Sequence, residues 1–532
     1  MPAVALTLTL IAPRVGDRRF RAVEDRASDF ARSRWAIPAV GLLAIAFRLA
    51  LLPILPVPQR SLHDENSLLL AADTFAHGRL TNPPHPLWIF FDTFHVLQHP
   101  TYASKYLPGS AAPLALGQLL GHPWLGSLLG LAAVCMAVTW MLRGWFSAAW
   151  ALLGGVLFLF GVGLFSFWID GYYGGAIPAI GAALVLGAYP RIAASLRVRD
   201  ALWMGAGAAL LATSRPLEGF VFCVPIAIAL PVELFARRSH SIDLVARRVV
   251  LPVFAVLGAT GLFLAYYDWR VTGDPLLLPW TLYHREYYNY PVFAWQDPGP
   301  PLHYDNPQFE CYFLHWQRES GAPWGERSWK TAAIWWRTFL GVTLTIPLIA
   351  LPWALRERRI RLVAIQFALC AAALLSVAWY QPHYAAPLAA TLYVLIVGSM
   401  IALRRWKLRG RAIGVFVTRL VMVLALDWVL VLAAGAAWVP EDWATDRARF
   451  VRSLEAKPGR HLVIVHYQPD HDCGHEWVYN AADIDRARIV WAREIPGHEL
   501  APLLDYYRDR SIWRLEADAE PPRLSLVTSP GR

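Results

Sequence analysis

The strongest constraint on this chain is a succession of apolar runs, most of them about as long as a helix that crosses a ~30 Å hydrocarbon core. Eleven are legible: 36–56, 112–141, 147–169, 172–189, 201–213, 216–235, 248–267, 332–355, 361–380, 384–403 and 413–438. Residues are 56% hydrophobic and 17% charged, with 25 tryptophans. A string of soluble domains would carry about a quarter charged residues, so that class is excluded. Gly121-His122-Pro123 interrupts the second run and predicts a short helix followed by a longer one. The fifth run abuts Ser214-Arg215-Pro216, where proline removes a donor and biases Arg215 away from helix.

The links between runs give a direction. With the N-terminus inside, the inner links hold Arg143; Arg191, Arg197 and Arg199; Arg237, Arg238, Arg247 and Arg248; Arg356, Arg358, Arg359 and Arg361; and Arg404, Arg405, Lys407, Arg409 and Arg411. The outer links carry Asp64, Glu65, Asp73, Asp92 and Asp170, and the short ones are nearly free of basic residues apart from Arg215. This is the bias that orients membrane proteins. It also accounts for the net charge of +10 without a nucleic-acid partner. Met1 to Ala12 lacks the charged start and cleavage site of a signal peptide, and Arg14 to Arg34 leads into the first run as a cytoplasmic flank. The expectation is a multi-pass protein of the inner (plasma) membrane, with its N-terminus cytoplasmic.

Three parts follow: a cytoplasmic basic segment 1–34, a membrane domain 35–439 with long outer loops 58–111 and 268–331, and an extracytoplasmic domain 440–532. Loops beyond about 15 residues are functional or disordered, and the aromatic content here argues against disorder. Asn66 to Phe75 reads as an interfacial helix with Ser67, Asp73 and Thr74 on its wet side. Beyond Pro440, Arg460–His466, Ala487–Trp491 and Ile512–Leu515 read as strands and His498–Arg508 as a helix. The fold class is therefore mainly α: a polytopic helical membrane bundle with a small C-terminal α/β domain on the outer side. Cys311 and Cys473 lie in outer hydrophilic segments, which leaves a disulfide open to them.

Chemistry is best sought in the outer segments. Asp64 and Glu65 follow the first run within a turn or two. Carboxylates at a membrane surface are costly unless they face water and handle protons or metal ions. The plainer alternatives are a solvated loop acid, or Asp64 capping a helix that starts near Asn66. Asp92, flanked by aromatics, is a further candidate acid that desolvation would perturb; the alternative is an interfacial helix with the acid facing up. Lys105, a lone outer lysine, invites a phosphate or snorkels. Arg215 sits at a helix break at membrane depth, where it either pairs with Glu218 or binds an anion, and its guanidinium suits phosphate. Arg285, in the aromatic segment Tyr283 to Tyr288, is a third phosphate candidate by position. Tyr172, beside Gly171 and Gly174-Gly175, and His383 with Tyr384, in Tyr380 to Tyr384, offer a sugar-like ligand aromatic and polar contacts; headgroup anchoring is the alternative. His466, His471, Asp472, Cys473, His475 and Glu476 crowd together but match no fixed zinc template, and a polar loop after a strand is the simpler account. No metal ligand and no cofactor is assigned, and a divalent ion is left open.

An Asp-Glu pair just after the first span, then a loop ending in Lys105-Tyr106-Leu107-Pro108-Gly109, resembles the C superfamily of membrane glycosyltransferases. Nearest in kind are the family 39 protein O-mannosyltransferases and the bacterial aminoarabinose transferase. The resemblance covers the architecture of 35–438, with motif similarity confined to Asp64 to Gly109. It implies a polyprenyl-phosphate sugar donor and transfer on the outer face to a lipid, glycan or protein acceptor. Asp64 matches the first-loop acid that activates the acceptor, and Glu65 its neighbour. Lys105 resembles the lysine of a Lys-Pro-Pro-Leu segment that meets the donor phosphate; here Tyr106-Leu107 stand before Pro108. Such a transfer needs a base and cations for a departing phosphate. It needs no nucleotide, and neither GxGxxG nor a phosphate-cradling P-loop motif occurs. Two other readings stand beside it. A transporter or flippase for lipid-linked glycans would show intramembrane charges and a repeat. A non-catalytic envelope assembly protein would use the C-terminal domain as a binding module.

Overall fold

The computed structural model describes residues 17–173, 176–236, 241–288, 290–297, 299–300, 302–321, 323–378, 380–436 and 442–528. Each of the eleven apolar runs carries a helix, but they are not eleven unbroken spans. Among the described residues five helices are long and apolar enough to cross a membrane: Pro123–Trp145, Ala176–Ser195, Pro216–Phe235, Ile242–Thr272 and Ile413–Gly435. The pair Asp17–Ala31 and Ala36–Ala50 is bent by 113° and adds a sixth only if the two are counted as one span. The expected first span stops at Ala50 because Pro53, Pro56 and Pro58 follow and cannot continue a helix. The 332–355 run is divided at Gly341, whose left-handed φ of 55° separates a π-helical turn, Trp336–Leu340, from the helix Gly341–Leu348. The break at Gly121 falls as expected, between Pro108–Leu119 and Pro123–Trp145. Phe220, Ile228, Phe254, Leu262 and Leu430 on these helices are 64% to 76% exposed. Large apolar side chains facing outward at that density suit hydrocarbon rather than water.

The two long loops fold together at one end of the bundle. In the first, the helix His63–Ala76 starts before Asn66 and packs inside the loop assembly, so the expected wet face is wrong. Ser67 is buried, donating to the His95 carbonyl at 2.5 Å and meeting the Ser104 hydroxyl at 2.7 Å. Thr74 is buried too, its hydroxyl on the Leu70 carbonyl at 2.8 Å. A short antiparallel ribbon, β1 (Val96–Leu97) and β2 (Ala103–Ser104), closes the loop. In the second loop, the helices Pro279–Tyr287 and Pro307–Ser320 bring Tyr283, Tyr288, Phe309, Tyr312 and Phe313 against Phe94 and Leu97.

Residues 437–441, where the last domain was expected to begin, lie outside the described residues. After them come the helix Trp443–Glu455 and a four-stranded sheet. Strand β3 (His461–His466) runs parallel to β4 (Ile489–Arg493) and β5 (Ser511–Glu516). Strand β6 (Arg523–Thr528), which the sequence reading missed together with the helix Trp443–Glu455, pairs antiparallel to β5. The expected helix over His498–Arg508 is shorter, Ala501–Tyr506. This domain shares a core with the first loop, Leu70, Phe90, Phe91 and Tyr102 packing against Leu462, Ile464 and Leu503. A Cys311–Cys473 disulfide ties it to the second loop.

Candidate functional site

Asp64 and Glu65 are neighbours with different partners. Glu65 reaches back over the start of its helix, one oxygen accepting from the N–H groups of Ser61 (2.9 Å) and Leu62 (3.2 Å). The other oxygen accepts from the Tyr172 N–H at 2.8 Å. The capping thus falls to Glu65, which satisfies donors that a helix start leaves orphaned. Burial pushes its carboxyl up to about 7, against the pull of those three N–H groups. Asp64, in the first helical turn, is left to the site. Its Oδ1 accepts from the Tyr106 hydroxyl, and its Oδ2 lies 4.0 Å from His95 Nε2.

His95 joins the acid to a cation. It is fully buried and holds a left-handed φ of 64°, uncommon for a residue other than glycine. The conformation is over-determined: the His95 N–H donates to the Tyr283 hydroxyl at 2.8 Å, and its carbonyl accepts from Ser67 and from the Lys105 N–H at 3.1 Å. Its Nδ1 is 2.9 Å from Lys105 Nζ, and its Nε2 is 3.2 Å from the Tyr312 hydroxyl. An ammonium only donates, so protonated Lys105 sets Nδ1 as acceptor and leaves the ring proton on Nε2, toward Tyr312 and Asp64. Lys105 Nζ also donates to Tyr288 at 2.7 Å and lies 5.0 to 5.2 Å from the ring centroids of Tyr106, Tyr283 and Tyr288. Burial pulls the Lys105 ammonium down to about 7, with the Asp64 charge opposing. On the other side His63 Nε2 meets the Cys473 carbonyl at 3.0 Å, and burial draws that imidazole down to about 4.

Lys105 and Tyr106 border a cavity of about 380 Å³ that also meets Arg215, Glu218, His284, Tyr288 and Tyr384. The Arg215 guanidinium lies 4.1 Å over the Tyr384 ring. Among the described residues neither Lys105 nor Arg215 forms an ion pair, Glu218 included. From Glu218 and Tyr384 a narrow apolar crevice continues past Leu217, Val221, Leu374 and Leu388, between the helices Pro216–Ala236 and Arg358–Leu375.

The structure thus brings Asp64, Lys105, Arg215 and Tyr384 to one place. Arg285 does not join them: helical spacing turns His284 and Tyr288 to the cavity and leaves Arg285 exposed. Asp92 is buried under the C-terminal domain, accepting from the Tyr287 hydroxyl at 3.4 Å, and burial pushes it up to about 7. Tyr172 donates its hydroxyl to the Pro58 carbonyl at 3.1 Å and borders a different cleft. His383 is buried behind Tyr384, packed 4.9 Å from the Tyr173 ring. Gly174 and Gly175 lie outside the described residues. The crowded C-terminal residues are engaged one by one: His466 with Glu494 (2.7 Å), His471 with Asp518 (2.5 Å), Glu476 with Arg493, and Cys473 in the disulfide. Among the described residues no three His, Cys, Asp or Glu converge to hold a metal ion.

His95, Tyr106, His284, Tyr288 and Tyr312 were not singled out from sequence. The one signal was the tyrosine density of 283–290, which reads equally as membrane-interface anchoring.

No family model and no curated relative matches the chain. Among solved structures, an oligosaccharyltransferase of Archaeoglobus fulgidus tethered with an acceptor peptide is 11% identical, covering 92% of this chain and 70% of its own, with a TM-score of 0.46. The archaeal oligosaccharyltransferase AglB of the same organism, in complex with an inhibitory peptide and a dolichol-phosphate, is 12% identical over 91% of this chain and 69% of its own, with a TM-score of 0.45. The arabinosyltransferase EmbB of Mycobacterium smegmatis is 13% identical over 77% of this chain and 38% of its own, with a TM-score of 0.40. Likeness of this order assigns no residue a role.

Proposed function

We propose that the chain is a membrane glycosyltransferase that moves a sugar from a polyprenyl-phosphate donor to a hydroxyl acceptor. The observation that carries this reading is the convergence around one cavity of Lys105 and Arg215, two cations that form no ion pair among the described residues, with Asp64 held at its border by the Tyr106 hydroxyl. The resemblance of Asp64 to Gly109 to the C superfamily supports it. In this reading Asp64 takes the acceptor proton through Oδ2, while Oδ1 stays fixed by Tyr106. Lys105 and Arg215 receive the charge of the departing lipid phosphate, which a guanidinium and an ammonium suit. Glu65 holds the helix start rather than the acceptor, and Asp92 and Arg285 act elsewhere. Residues 35–439 form the transferase domain. The charge bias of the links supports an extracytoplasmic position for the loop end and the C-terminal domain.

The test is a reconstitution of the full chain in vesicles containing a labelled polyprenyl-phosphate sugar, with release of polyprenyl phosphate as readout. Wild type releases it and Asp64→Asn does not. Equal rates for the two proteins would remove Asp64 as base. No release from any donor, with an acceptor lipid extract present, would remove the transferase class.

A further inference from the structure

A second cleft, of about 570 Å³, lies between the membrane domain and the C-terminal domain, on the Leu69–Asp73 side of the helix that carries Asp64. Its volume is that of a small-molecule site rather than of a single ion. Two guanidiniums share one aromatic ring there: Arg60 lies 4.1 Å and Arg447 3.6 Å from the Tyr479 centroid. Arg447 is 3% exposed and also lies 4.3 Å from the Trp491 ring. Its Nε and Nη2 donate to the carbonyls of Trp477 (3.0 Å) and Tyr479 (3.2 Å), and its Nη1 makes no hydrogen bond among the described residues. Arg60 likewise forms neither an ion pair nor a hydrogen bond among the described residues.

A guanidinium buried without a carboxylate is expensive to keep, and stacking on an aromatic ring offsets that cost only in part. The acids of the cleft do not neutralise the pair. Asp73 has one oxygen on Gln118 Nε2 (2.6 Å) and the other on the Ala482 N–H (2.7 Å). Glu455 ends its helix on the exposed side, and Arg488 adds a third cation at the rim. The aromatic side chains of Tyr172, Tyr479 and Trp491 border the same space. Planar cations beside aromatic side chains in a cleft of this size match a ligand with both a carboxylate or phosphate and the flat apolar faces of pyranose rings.

We infer that this cleft binds an anionic saccharide, Arg60 and Arg447 holding its acidic group and Tyr479 positioning both guanidiniums. Only the description of that saccharide as acceptor or product rests on the transferase reading.

The experiment is isothermal titration of the full-length protein, in nanodiscs of neutral phosphatidylcholine, with tri-galacturonate and with the neutral galactose trimer. Wild type binds the acidic trimer at least tenfold more tightly. Arg60→Gln loses at least tenfold of that affinity and leaves the neutral trimer unchanged. Arg60 is the first choice because it makes no hydrogen bond that folding needs; Arg447→Lys is the second. The titration is repeated on Asp64→Asn, which binds as wild type, so failure of the transferase reading and failure of this one are distinguishable. Equal affinity for the two trimers, no binding of either, or an unchanged Arg60→Gln protein overturns the inference. So does displacement of the acidic trimer by short-chain phosphatidylglycerol together with direct binding of that lipid at higher affinity, which would make the cleft a headgroup site.

Discussion

The two ends of the bundle use the same side chains to opposite effect. Beyond the end of the Leu388–Arg404 helix that is remote from Tyr384, Arg404 and Arg419 each have a carboxylate. Arg419 meets Asp17 at 2.5 Å and Glu24 at 2.9 and 3.0 Å, and Arg404 meets the same Glu24 at 3.1 and 2.9 Å. These bidentate contacts pin the helix Asp17–Ala31 to the helices that carry Arg404 and Arg419. At the loop end, Lys105 rests on His95 and Tyr288, and Arg215 on the face of Tyr384. A closed ion network is satisfied by the fold, and its contribution is structural. An open one leaves charge that the fold must carry at a cost until an anion arrives. The difference distinguishes a fastening from a binding site, and it can be broken from either side.

The largest effect falls on Asp64. Asp64→Asn removes the base while keeping an acceptor for Tyr106, so transfer falls by roughly 10²- to 10⁴-fold with little change in melting temperature. Glu65→Ala does the reverse. It strips acceptors from the N–H groups of Ser61, Leu62 and Tyr172, so the melting temperature drops. Thermal melts monitored beside transfer assays separate the two carboxylates. Next comes Arg215→Gln, which removes a charged contact to the donor phosphate and lowers kcat/KM by roughly 10- to 100-fold, mostly through KM. An Arg215→Gln enzyme with unchanged KM for donor would mean that the cavity does not receive the phosphate.

Local pattern explains which parts of this arrangement were legible in sequence. Apolar length and the charge bias of the links located all eleven helical runs, since both signals are local. They overstated the number of full spans. The prolines after Ala50 and the left-handed Gly341 act within single turns, which a window of ~20 residues averages away. Asp64 and Lys105 stood out because they are rare types in unexpected places. His95 did not, because its role comes from a backbone conformation held by Tyr283 and Ser67, residues remote in sequence from each other. Arg285 was misplaced for a related reason. Composition put it beside the aromatic residues, whereas one step along a helix turns a side chain by about 100° and sends it to solvent. The Cys311–Cys473 pairing depended on two loops meeting, and sequence established only that both segments are hydrophilic.

A smaller effect tests the open network through pH. Burial draws Lys105 down from 10.5 to about 7, so the cation fades as pH rises through neutrality. Donor KM then rises a few-fold between about pH 6 and pH 8, and Lys105→Arg, whose guanidinium stays charged, flattens the profile. The same residue has a signature in stability. Between about 7 and 10.5 the unfolded chain binds more protons than the folded one, so the burden of burying Lys105 lifts as pH rises across that window. Glu65 runs the other way. Its carboxyl is raised from 4.5 to about 7, so the stability it gives is complete below 4.5 and is lost as pH rises through 7. A Glu65→Gln protein, neutral at every pH, loses that dependence while the rise above 7 from Lys105 remains.

The smallest effect on transfer belongs to the closed end. Arg419→Met leaves Asp17 without its interhelical partner and halves the contacts of Glu24, so the hold on the Asp17–Ala31 helix weakens and the melting temperature falls. None of the cavity residues touches this cluster, and the Leu388–Arg404 helix lies between them. Turnover per folded molecule and donor KM should therefore match wild type, with the pH profile set by Lys105 unchanged. Adding Glu24→Gln to Arg419→Met should cost less than the two single changes summed, because both remove the same contacts. If Arg419→Met shifted donor KM instead, the two ends would be coupled through that helix. The fastening would then belong to the binding mechanism, and the contrast between closed and open networks would no longer separate structure from function.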